Sequence, residues 1–396
     1  MTSEWRNVLL GSVCKVSSSK RIFAKEYRTN GIPFYRGKEI VEKHNGHKAS
    51  TELFISKEKY DEIKHKYDTP KIGDVLLTSV GTLGVPWYVT ETDFYFKDGN
   101  LTWLRADSEY LDSKFLYLWL NSTFAKIQID KMCIGSTQKA LTIDTITKFI
   151  ITLPPLHEQQ RIVAILWSIK DRIALNTAIN EKLEQLIAAY YKELFGNCDY
   201  TAKISDYAGR VFSGGTPTTS NERYWNGGYN WLSSGETCQK FIVDTEKTIT
   251  QKGIDNSSTR LASKYDTVIA SAGQGHTRGQ TSMLLTNSYV NQSIIAVHSE
   301  KVYAPFIYWN LCGRYEELRV ISNYNSIRGS LTTKMISSFS APKADISVIS
   351  QFSEFAWAAI HEIENNCNEN IRLTALRDTL LPKLMSGEID VSNVQV

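Results

Sequence analysis

The 396-residue chain has little of what marks a secreted or membrane protein. Its six cysteines are scattered and form no CxxC pair, which favours buried or incidental thiols in a reducing compartment. No window approaches roughly 18 uncharged apolar residues, the length that a transmembrane helix needs. The N-terminal stretch MTSEWRNVLLGS has neither a basic region nor a long apolar core. These absences predict a cytoplasmic protein.

An excess of charge of one sign is also missing, because the formal net charge is only +3. Two segments hold the positive charge. Residues 1–155 carry 22 Lys and Arg against 18 Asp and Glu, and residues 200–345 carry 15 against 11. Excesses this small permit a phosphate-facing surface, although an ordinary solvated surface explains them equally well.

The motifs of common active sites are absent. SAGQGHTRGQ (271–280) supplies glycines without the Gly-Lys-Ser/Thr of a nucleoside triphosphate site, and there is no GxSxG. A DNA amino-methyltransferase would show Asn/Asp-Pro-Pro-aromatic, which holds and stacks a flipped base. The one Pro-Pro pair lies in Leu153-Pro154-Pro155-Leu156, with leucine on both sides. Binding is therefore the leading class, and we expect no catalytic residue in this chain.

Two histidine patterns invite a metal assignment and fail it. His157-Glu158 could open an HExxH zinc helix, but Arg161, a permanent cation, stands where the second histidine would be. His44 and His47 lie close together, with nothing nearby that completes a ligand set. We expect no metal site, and LPPLHEQQ reads as a hinge into a structural helix.

An internal repeat is the most informative feature. Trp119 and Trp309 match at an offset of 190 residues, as do Leu141 and Leu331. The matched stretches are DSKFLYLWLNSTF (112–124) with YAPFIYWNLCGRY (303–315), GSTQKALT (135–142) with SIRGSLTT (326–333), GDVLLTSVGTLG (73–84) with YDTVIASAGQGHTRG (265–279), and FYRGKEI (34–40) with WLSSGET (231–237). Four matches in the same order predict a tandem duplication.

Each repeat consists of a globule and a long helix. Short β-branched and aromatic runs, broken by Gly, Asn and Ser, predict a mostly β globule with some helix, so the fold class is α+β. Apolar residues then recur at spacings of three and four over 158–195 and 347–381. The predicted domains are 1–155, 156–199, 200–345 and 346–396.

The two helical segments are predicted to pack on each other. At 1.5 Å per residue, about 38 residues make a rod roughly 57 Å long, which must bury its apolar stripe. The predicted stripe consists of Ile162, Ile165, Ile169, Ile179, Leu183, Leu186, Phe352, Ile363 and Ile371. An antiparallel coiled coil with pseudo-twofold symmetry would separate the two globules. The alternative is that each helix packs only on its own globule.

Glycine-punctuated loops with cations and amides are the candidate binding residues. Arg and Lys engage phosphates or guanine edges, Gln and Asn pair with adenine, and Gly lets the backbone approach closely. The candidates for DNA contact are Lys20, Arg21, Arg36, Lys38, Ser79, Thr82, Ser136, Gln138, Lys139, Ser233, Ser234, Gln274, His276, Arg278, Gln280 and Arg328. GSTQKALT could instead be chiefly a structural closure of its domain.

Taken together, the chain resembles the specificity subunits of type I restriction-modification systems over nearly its whole length. LPPLHEQQRIVAIL (153–166) resembles the family's junction between its first target recognition domain and first conserved helix. LLPKLMSGEIDVS (380–392) resembles the end of its second helix, and GSTQKALT resembles the loop that closes a recognition domain. SAPKADISVISQFSEF (340–355) departs from the family by lacking paired prolines and Glu-Gln-Gln, which leaves the start of the second helix in question.

The resemblance implies a non-catalytic subunit that reads DNA. Each globule would read one half of a split, asymmetric target, and the helices would set the distance between half-sites. Two methyltransferase subunits would dock on the helices, and a motor-nuclease subunit would join them. S-adenosylmethionine, ATP and magnesium would be bound by those partners and none by this chain. The alternative is a scaffold whose loops serve protein partners and read no DNA.

Overall fold

The fold was analysed in a computed structural model, which describes residues 5–133, 139–273, 276–323 and 329–394. The chain divides into two compact units, Met1–Ala174 with Arg372–Val396, and Leu175–Ile371. Each predicted helical segment is therefore shared between the units. Within the described residues, no helix is long and apolar enough to cross a lipid bilayer.

Short strands and helices alternate through the globule of the first unit. The elements are β1 (Arg6–Leu9), α1 (Leu10–Val13), β2 (Cys14–Ser17), β3 (Ile32–Tyr35), α2 (Gly37–His44), β4 (Phe54–Ile55), α3 (Lys57–Tyr67), β5 (Val75–Thr78), β6 (Pro86–Tyr88), β7 (Tyr95–Phe96), β8 (Leu101–Ala106), α4 (Ser113–Asn121), α5 (Thr123–Met132), α6 (Ile143–Thr147) and β9 (Ile150–Leu153). The predicted helical insert is thus two helices, because Ser122 ends α4 and caps α5.

A long helix follows, and then the globule of the second unit and a second long helix. The elements are α7 (Leu156–Phe195), β10 (Ala202–Lys203), β11 (Arg210–Ser213), β12 (Trp225–Leu232), β13 (Phe241–Ile242), β14 (Lys247–Ile249), α8 (Gln251–Asp255), β15 (Arg260–Ala262), β16 (Thr267–Ala270), β17 (Thr281–Leu284), β18 (Ser288–Val290), β19 (Ile294–His298), α9 (Ala304–Cys312), α10 (Tyr315–Asn323), α11 (Thr333–Ser337), β20 (Ser340–Ala341) and α12 (Ile346–Met385).

The sheets repeat the same order in both units, as the duplication predicts. The first unit has an antiparallel sheet β2-β8-β5-β6, and the second has β11-β19-β16-β17, to which β13 adds a parallel edge strand. The pair β1-β9 joins the start of the first globule to the strand before α7. The pair β10-β20 does the same before α12. The prediction of a mostly β globule with some helix is confirmed.

Buried strands form the centre of each sheet. All four residues of β5 (VLLT) and of β16 (TVIA) are buried, which is typical of a strand covered on both faces. An aspartate precedes each strand and closes the turn before it. Asp74 Oδ2 accepts from the Lys71 amide and Asp266 Oδ2 from the Ser263 amide, each at 2.8 Å. Asp74 and Asp266, which match in the internal repeat at an offset of 192 residues, therefore close the same structural turn in both units.

The two long helices have equal length and begin 190 residues apart. Helix α7 begins after Pro154 and Pro155, and the amides of Glu158 and Gln159 both donate to the Pro155 carbonyl. Glu158 lies in the first turn, where its carboxylate complements the helix dipole. Helix α12 starts at Ile346, which answers the question left by its divergent junction. It continues through Pro382 to Met385, beyond the predicted end at 381.

In the second unit the halves of the two helices run antiparallel and in contact. Gln351 Nε2 donates to the Tyr190 hydroxyl at 3.0 Å near one end of the contact, and Asn366 Nδ2 donates to Asn180 Oδ1 at 2.9 Å farther along. Both halves also pack into the core of the globule, which includes Trp309. In this unit the apolar stripes therefore pack both on the other long helix and on the globule, the two alternatives considered from the sequence.

Most of the predicted stripe is buried or half-buried, but two positions are wrong. Leu186 is 52% exposed and Ile371 is 42% exposed, so neither belongs to the packed face. Ile187 is buried in place of Leu186, together with Tyr191 and Phe195. Residues at spacings of four share a helix face. Because residues 186 and 187 are both apolar, the spacing alone allows either of them to face the core. Packing against the globule buries Ile187.

The helix halves in the first unit share a core in the same way. Ile162, Leu166 and Leu384 belong to one buried cluster, which also contains Trp119, the counterpart of Trp309. Ile165 packs half-buried against that cluster. Each globule is thus built on residues from both long helices.

Gln159, in the hinge LPPLHEQQ, locks the start of α7 to the first globule. Its Oε1 accepts from the Asp112 amide at 2.8 Å, and its Nε2 donates to the carbonyls of Tyr110 and Pro154, each at 2.9 Å. The side chain is fully buried. We expect Gln159→Leu to lower the free energy of unfolding by about 2–3 kcal/mol, because buried polar groups lose their partners.

Gln160→Leu is the matched control, since Gln160 is exposed in the same turn. It should change the free energy of unfolding by less than about 0.5 kcal/mol. Urea denaturation followed by far-ultraviolet circular dichroism measures both variants. Equal losses would show that the hinge is not held by Gln159.

Asp68 connects the end of α3 to β8. Arg105 Nη1 donates to Asp68 Oδ2 at 2.7 Å, and this bond lowers the pKa of the Asp68 carboxyl from 3.8 to about 2. A carboxyl whose pKa is lower in the folded protein stabilises the fold at any pH above its pKa in the unfolded chain. That stabilisation is lost as the pH falls through its pKa in the folded protein. The unaltered protein should lose unfolding free energy as the pH falls from about 4 to about 2. We expect Asp68→Asn to lose less over the same range, because the variant has no carboxyl to protonate there.

The expected size is below about 1 kcal/mol, since the Asp68 side chain is well exposed and solvent screens the pair. Urea titrations at several pH values measure it, with Asp61→Asn on the exposed side of α3 as the control. An Asp68→Asn profile that parallels the unaltered protein would refute the assignment.

Candidate nucleic-acid interface

Three chain segments meet in the first unit to form what we term the first loop cluster, residues 36–38, 79–82 and 139–141. Val80 pairs with Ala140 as an isolated antiparallel bridge, and the Leu141 amide donates to the Ser79 carbonyl at 2.9 Å. Gly37, at the start of α2, lies against the Val80 carbonyl. The predicted residues Arg36, Lys38, Thr82 and Lys139 are therefore brought together.

A buried carboxylate orients the start of α2. Glu39 accepts from the Arg36 amide at 2.8 Å and from Arg36 Nη2 at 2.9 Å. The first bond is the reverse half of a capping box. The second raises the pKa of the Arg36 guanidinium, which stays charged. Lys38 is exposed in the first turn of α2 and reaches Glu42 at 3.8 Å, a weak contact that leaves it available to an anion.

The second unit builds an equivalent second loop cluster from residues 233–237, 276–280 and 329–331. The Leu331 amide donates to the Ser271 carbonyl at 2.8 Å, which repeats the bond between Leu141 and Ser79. Glu236 is buried and accepts from the Ser233 amide at 2.9 Å, as Glu39 does for Arg36. The same backbone frame thus carries different side chains.

The side chains of the second loop cluster are mostly neutral. Ser233 Oγ donates to Glu236 at 3.0 Å, and Thr237 Oγ1 donates to Gln280 Oε1 at 3.4 Å. His276 is exposed, and its carbonyl accepts from the Tyr315 hydroxyl at 2.8 Å. Ser234 is half-buried beside Ser233. Hydroxyl and amide groups dominate this surface, in contrast to the cations of the first loop cluster.

Two predicted residues are inside the protein and are corrected here. Ser79 is buried, and its hydroxyl lies 2.6 Å from the hydroxyl of Thr102 on β8, so it supports the loop from within. Arg278 is buried as well, and its guanidinium bonds Asn323 and lies against Gly329. A buried arginine that bridges two loops positions them, and in this structure it presents no face to a ligand.

Lys20 and Arg21 lie in the loop after β2. The Arg21 guanidinium donates to Asp98 at 2.8 Å, which raises its pKa, and the side chain is exposed. The Lys20 ammonium sits 5.2 Å from the centre of the Tyr67 ring. Of the other candidates, Ser136, Gln138, Gln274 and Arg328 lie outside the described residues.

The residues that hold these loops were not among those predicted from sequence motifs. Glu39 and Glu236 carried a signal, because a glutamate three residues after the helix cap marks a capping box. Asn323 carried none, since its partner Arg278 is 45 positions away in the sequence. In the described part of the chain, no group of three or more His, Cys, Asp or Glu could hold a metal ion.

Residues 2–185 match the family model described as the type I restriction modification DNA specificity domain. A putative type I restriction enzyme specificity subunit from Haemophilus influenzae is 34% identical over 195 residues. That match covers 48% of this chain and 47% of the relative, so the chain spans about half of that relative's length. Both matches make this chain similar to the type I restriction-modification specificity subunits. The likeness agrees with the prediction of a specificity subunit.

Two further likenesses extend over nearly the whole chain. The type I restriction enzyme HindI specificity subunit of Haemophilus influenzae is 20% identical, covering 98% of this chain and 100% of that protein. The crystal structure of the type I restriction-modification S subunit from M. genitalium has a TM-score of 0.63 at 17% identity, covering 97% and 96% of the two chains. The second likeness shows that both proteins share a fold.

Proposed function

We propose that this chain is a type I restriction-modification specificity subunit and reads a split, asymmetric DNA target, with one half-site for each unit. The supporting observation is the repeated frame of the two loop clusters. The bonds from Leu141 to Ser79 and from Leu331 to Ser271 build one backbone arrangement twice. The side chains on the two frames differ, so two copies of one frame would recognise two different base sequences.

The chemistry of each cluster suits a different set of contacts. Arg36, Lys38 and Lys139 offer charged donors, which fit phosphates and the acceptor atoms of guanine. Ser233, Ser234 and Gln280 offer hydroxyl and amide groups, which fit base edges that both donate and accept. Phosphate contacts would supply affinity that falls with salt concentration.

The helices are proposed to dock the other subunits. Leu175, Leu186, Phe355 and Ile371 are large apolar side chains exposed on α7 and α12 within the second unit. Exposed apolar residues grouped on a pair of helices suit a protein partner. We assign this surface to two methyltransferase subunits, with a motor-nuclease subunit completing the complex in the cytoplasm. S-adenosylmethionine, ATP and magnesium would bind to those partners, and this chain would catalyse no step.

A charge-neutralising double variant of the first loop cluster tests the proposal. Arg36→Gln with Lys38→Gln removes both charges, while the amide at position 36 can still donate to Glu39. In complex with the methyltransferase subunit, the variant should bind one half-site about tenfold to several hundredfold more weakly and the other unchanged, because each base contact contributes about 1–3 kcal/mol. Footprinting and competition with singly substituted half-sites give the two affinities.

Arg6→Gln with Lys148→Gln is the matched control, because both residues are exposed: Arg6 begins β1, and Lys148 is the C-cap residue that follows α6. It makes the same change in charge and should leave both half-sites protected. Equal weakening of both half-sites by the two double variants would reduce the effect to bulk charge. A complex with no protected half-site would favour the scaffold alternative.

A further inference from the structure

Two lysines lie over the ring of Trp167, on the part of α7 that belongs to the first unit. The Lys114 ammonium is 4.7 Å from the centre of the indole, and the Lys170 ammonium is 5.2 Å from it. All three side chains are half-buried, so each keeps contact with solvent. We term Tyr88, Lys114, Trp167 and Lys170 the Trp167 site. It shares no residue with the loop clusters or with the exposed apolar surface of the second unit.

The positive charge of the Trp167 site has no counter-ion within the described part of the chain. Neither ammonium group forms an ion pair there, and Asp171 acts on Lys170 only over a longer distance. Burial lowers the pKa of the Lys170 ammonium. Lys126 adds a further cation, since it and Lys170 both act on His44. Partly desolvated cations without a counter-ion are stabilised by an anion that comes from outside.

In the second unit, a tryptophan on α12 has similar neighbours and a carboxylate beside them. The Lys301 ammonium is 5.3 Å from the centre of the Trp357 ring, and Tyr265 meets that indole edge-on at 4.6 Å. Glu364, farther along α12, accepts from the Tyr265 hydroxyl at 3.0 Å and forms an ion pair with Lys264. The tyrosine and a lysine of this group therefore have an acceptor within the chain.

The duplication repeats the tryptophan but not the carboxylate. At the offset of 190 that relates the two long helices, Trp167 corresponds to Trp357. The counterpart of Glu364 is Ala174, which is exposed. Tyr88 meets the Trp167 indole edge-on at 5.0 Å, but its hydroxyl bonds to no other described residue. The first unit thus has the donors without the acceptor.

We propose that the Trp167 site receives a carboxylate from an acidic segment of a protein partner. This inference rests on the proposed function, in which the partner on the long helices is the methyltransferase subunit. The acidic side chain lies where the second unit has Glu364. One of its oxygens accepts from the Tyr88 hydroxyl, and Lys114 and Lys170 neutralise its charge. The carboxylate in the second unit favours an acidic protein segment over a DNA phosphate as the ligand.

Biolayer interferometry between the full chain and the methyltransferase subunit, without DNA, tests the proposal. Lys114→Gln with Lys170→Gln removes both charges and should weaken binding at least about tenfold, because hydrogen bonds to charged groups are among the strongest. The matched control is Lys57→Gln with Lys64→Gln on α3 of the same unit. Both control lysines are exposed, and Lys64 also lies over a tyrosine ring. The control should bind as the unaltered chain does.

A second pair of variants supplies the missing carboxylate from the chain itself. Ala174→Glu introduces an acidic side chain at the counterpart of Glu364, so it should compete with the partner and weaken binding about tenfold. Ala174→Gln has the same size without the charge and should leave binding unchanged. Ala174→Glu should also unfold at a higher urea concentration than Ala174→Gln at low salt. That difference should vanish at about 1 M NaCl, because salt screens the new ion pairs.

The outcomes separate this site from the proposed function. Near-native circular dichroism establishes that each variant folds. Unchanged affinity of the Lys114 and Lys170 double variant for the methyltransferase subunit, or equal binding by the two Ala174 variants, would overturn the site and leave the proposed reading of DNA intact. Weaker binding of non-specific DNA with unchanged methyltransferase binding would overturn it in favour of a phosphate. Failure of the unaltered chain to bind the methyltransferase subunit would contradict the proposed docking and this inference with it.

Discussion

Phe352→Ala is expected to lower the free energy of unfolding of the second unit by about 3–5 kcal/mol. Phe352 is 0% exposed on α12, and its ring centre lies 5.4 Å from that of Tyr191 and 5.6 Å from that of Phe195, both on α7. It also lies 6.3 Å from the ring of Trp309 in the globule. One side chain thus joins both long helices to the globule of the second unit, and its loss leaves a cavity that rigid neighbours cannot fill.

Phe355→Ala on the same helix is the matched control. Phe355 is 38% exposed, and its ring makes an edge contact with Tyr190 at 4.8 Å. Its truncation should cost only about 1–2 kcal/mol, because Phe355 is partly exposed and its loss removes less buried apolar area than the loss of Phe352. Guanidinium denaturation of both variants, followed by tryptophan fluorescence and circular dichroism, gives the comparison. Similar losses for the two would contradict the packing described for the second unit.

Insertion of four residues into each long helix, after Ala174 and after Ile371, is expected to lengthen the spacer of the DNA target by about one or two base pairs, one by the added rotation and nearly two by the added length. Four residues add about 6 Å and turn a helix by about 400°, or 40° beyond a full turn. One base pair of B-DNA adds about 3.4 Å and turns by roughly 35°. The half-sites themselves should not change, since no loop cluster is altered.

Selection of binding sites from random DNA, with the methyltransferase complex, measures the spacer directly. A four-residue extension after Val394 is the control and should leave the spacer unaltered. An unchanged spacer in the double insertion would show that the helices do not set the distance. Altered half-site sequences would show that the loop clusters depend on the helix length.

Much of the fold follows from the sequence because its strongest signals are local or repeated. The offset of 190 between Trp119 and Trp309 indicated the duplication, and both tryptophans are buried at equivalent places. The prolines at 154 and 155, from which the sequence predicted a hinge into a helix, stand directly before the first residue of α7. The two long helices were predicted from the spacing of apolar residues, which is repeated many times along a long segment.

What the sequence could not provide depends on tertiary contacts. The choice between Leu186 and Ile187 as the buried position rests on the shape of the globule, which no helical period contains. In the sequence, Gln159 stands among polar and charged residues and gives no sign of burial. In the structure it is fully buried and makes three hydrogen bonds.

The candidate DNA-contacting residues show the same limit more strongly. The sequence made Arg278, Ser79, Lys38 and Thr82 equivalent candidates, because all four are polar residues in glycine-containing stretches. The structure buries the first two and leaves the others at the surface. Side-chain direction depends on the backbone of each loop, and one-residue differences reverse it. The frame of the clusters was therefore predictable, whereas the membership was not.

Methylation-sensitive sequencing of genomic DNA, from cells that express this subunit with its methyltransferase partner, tests the central claim most directly. Two readers on one chain predict methylated adenines within a bipartite motif, two specified half-sites separated by a fixed number of unspecified bases. A single continuous motif would contradict that account.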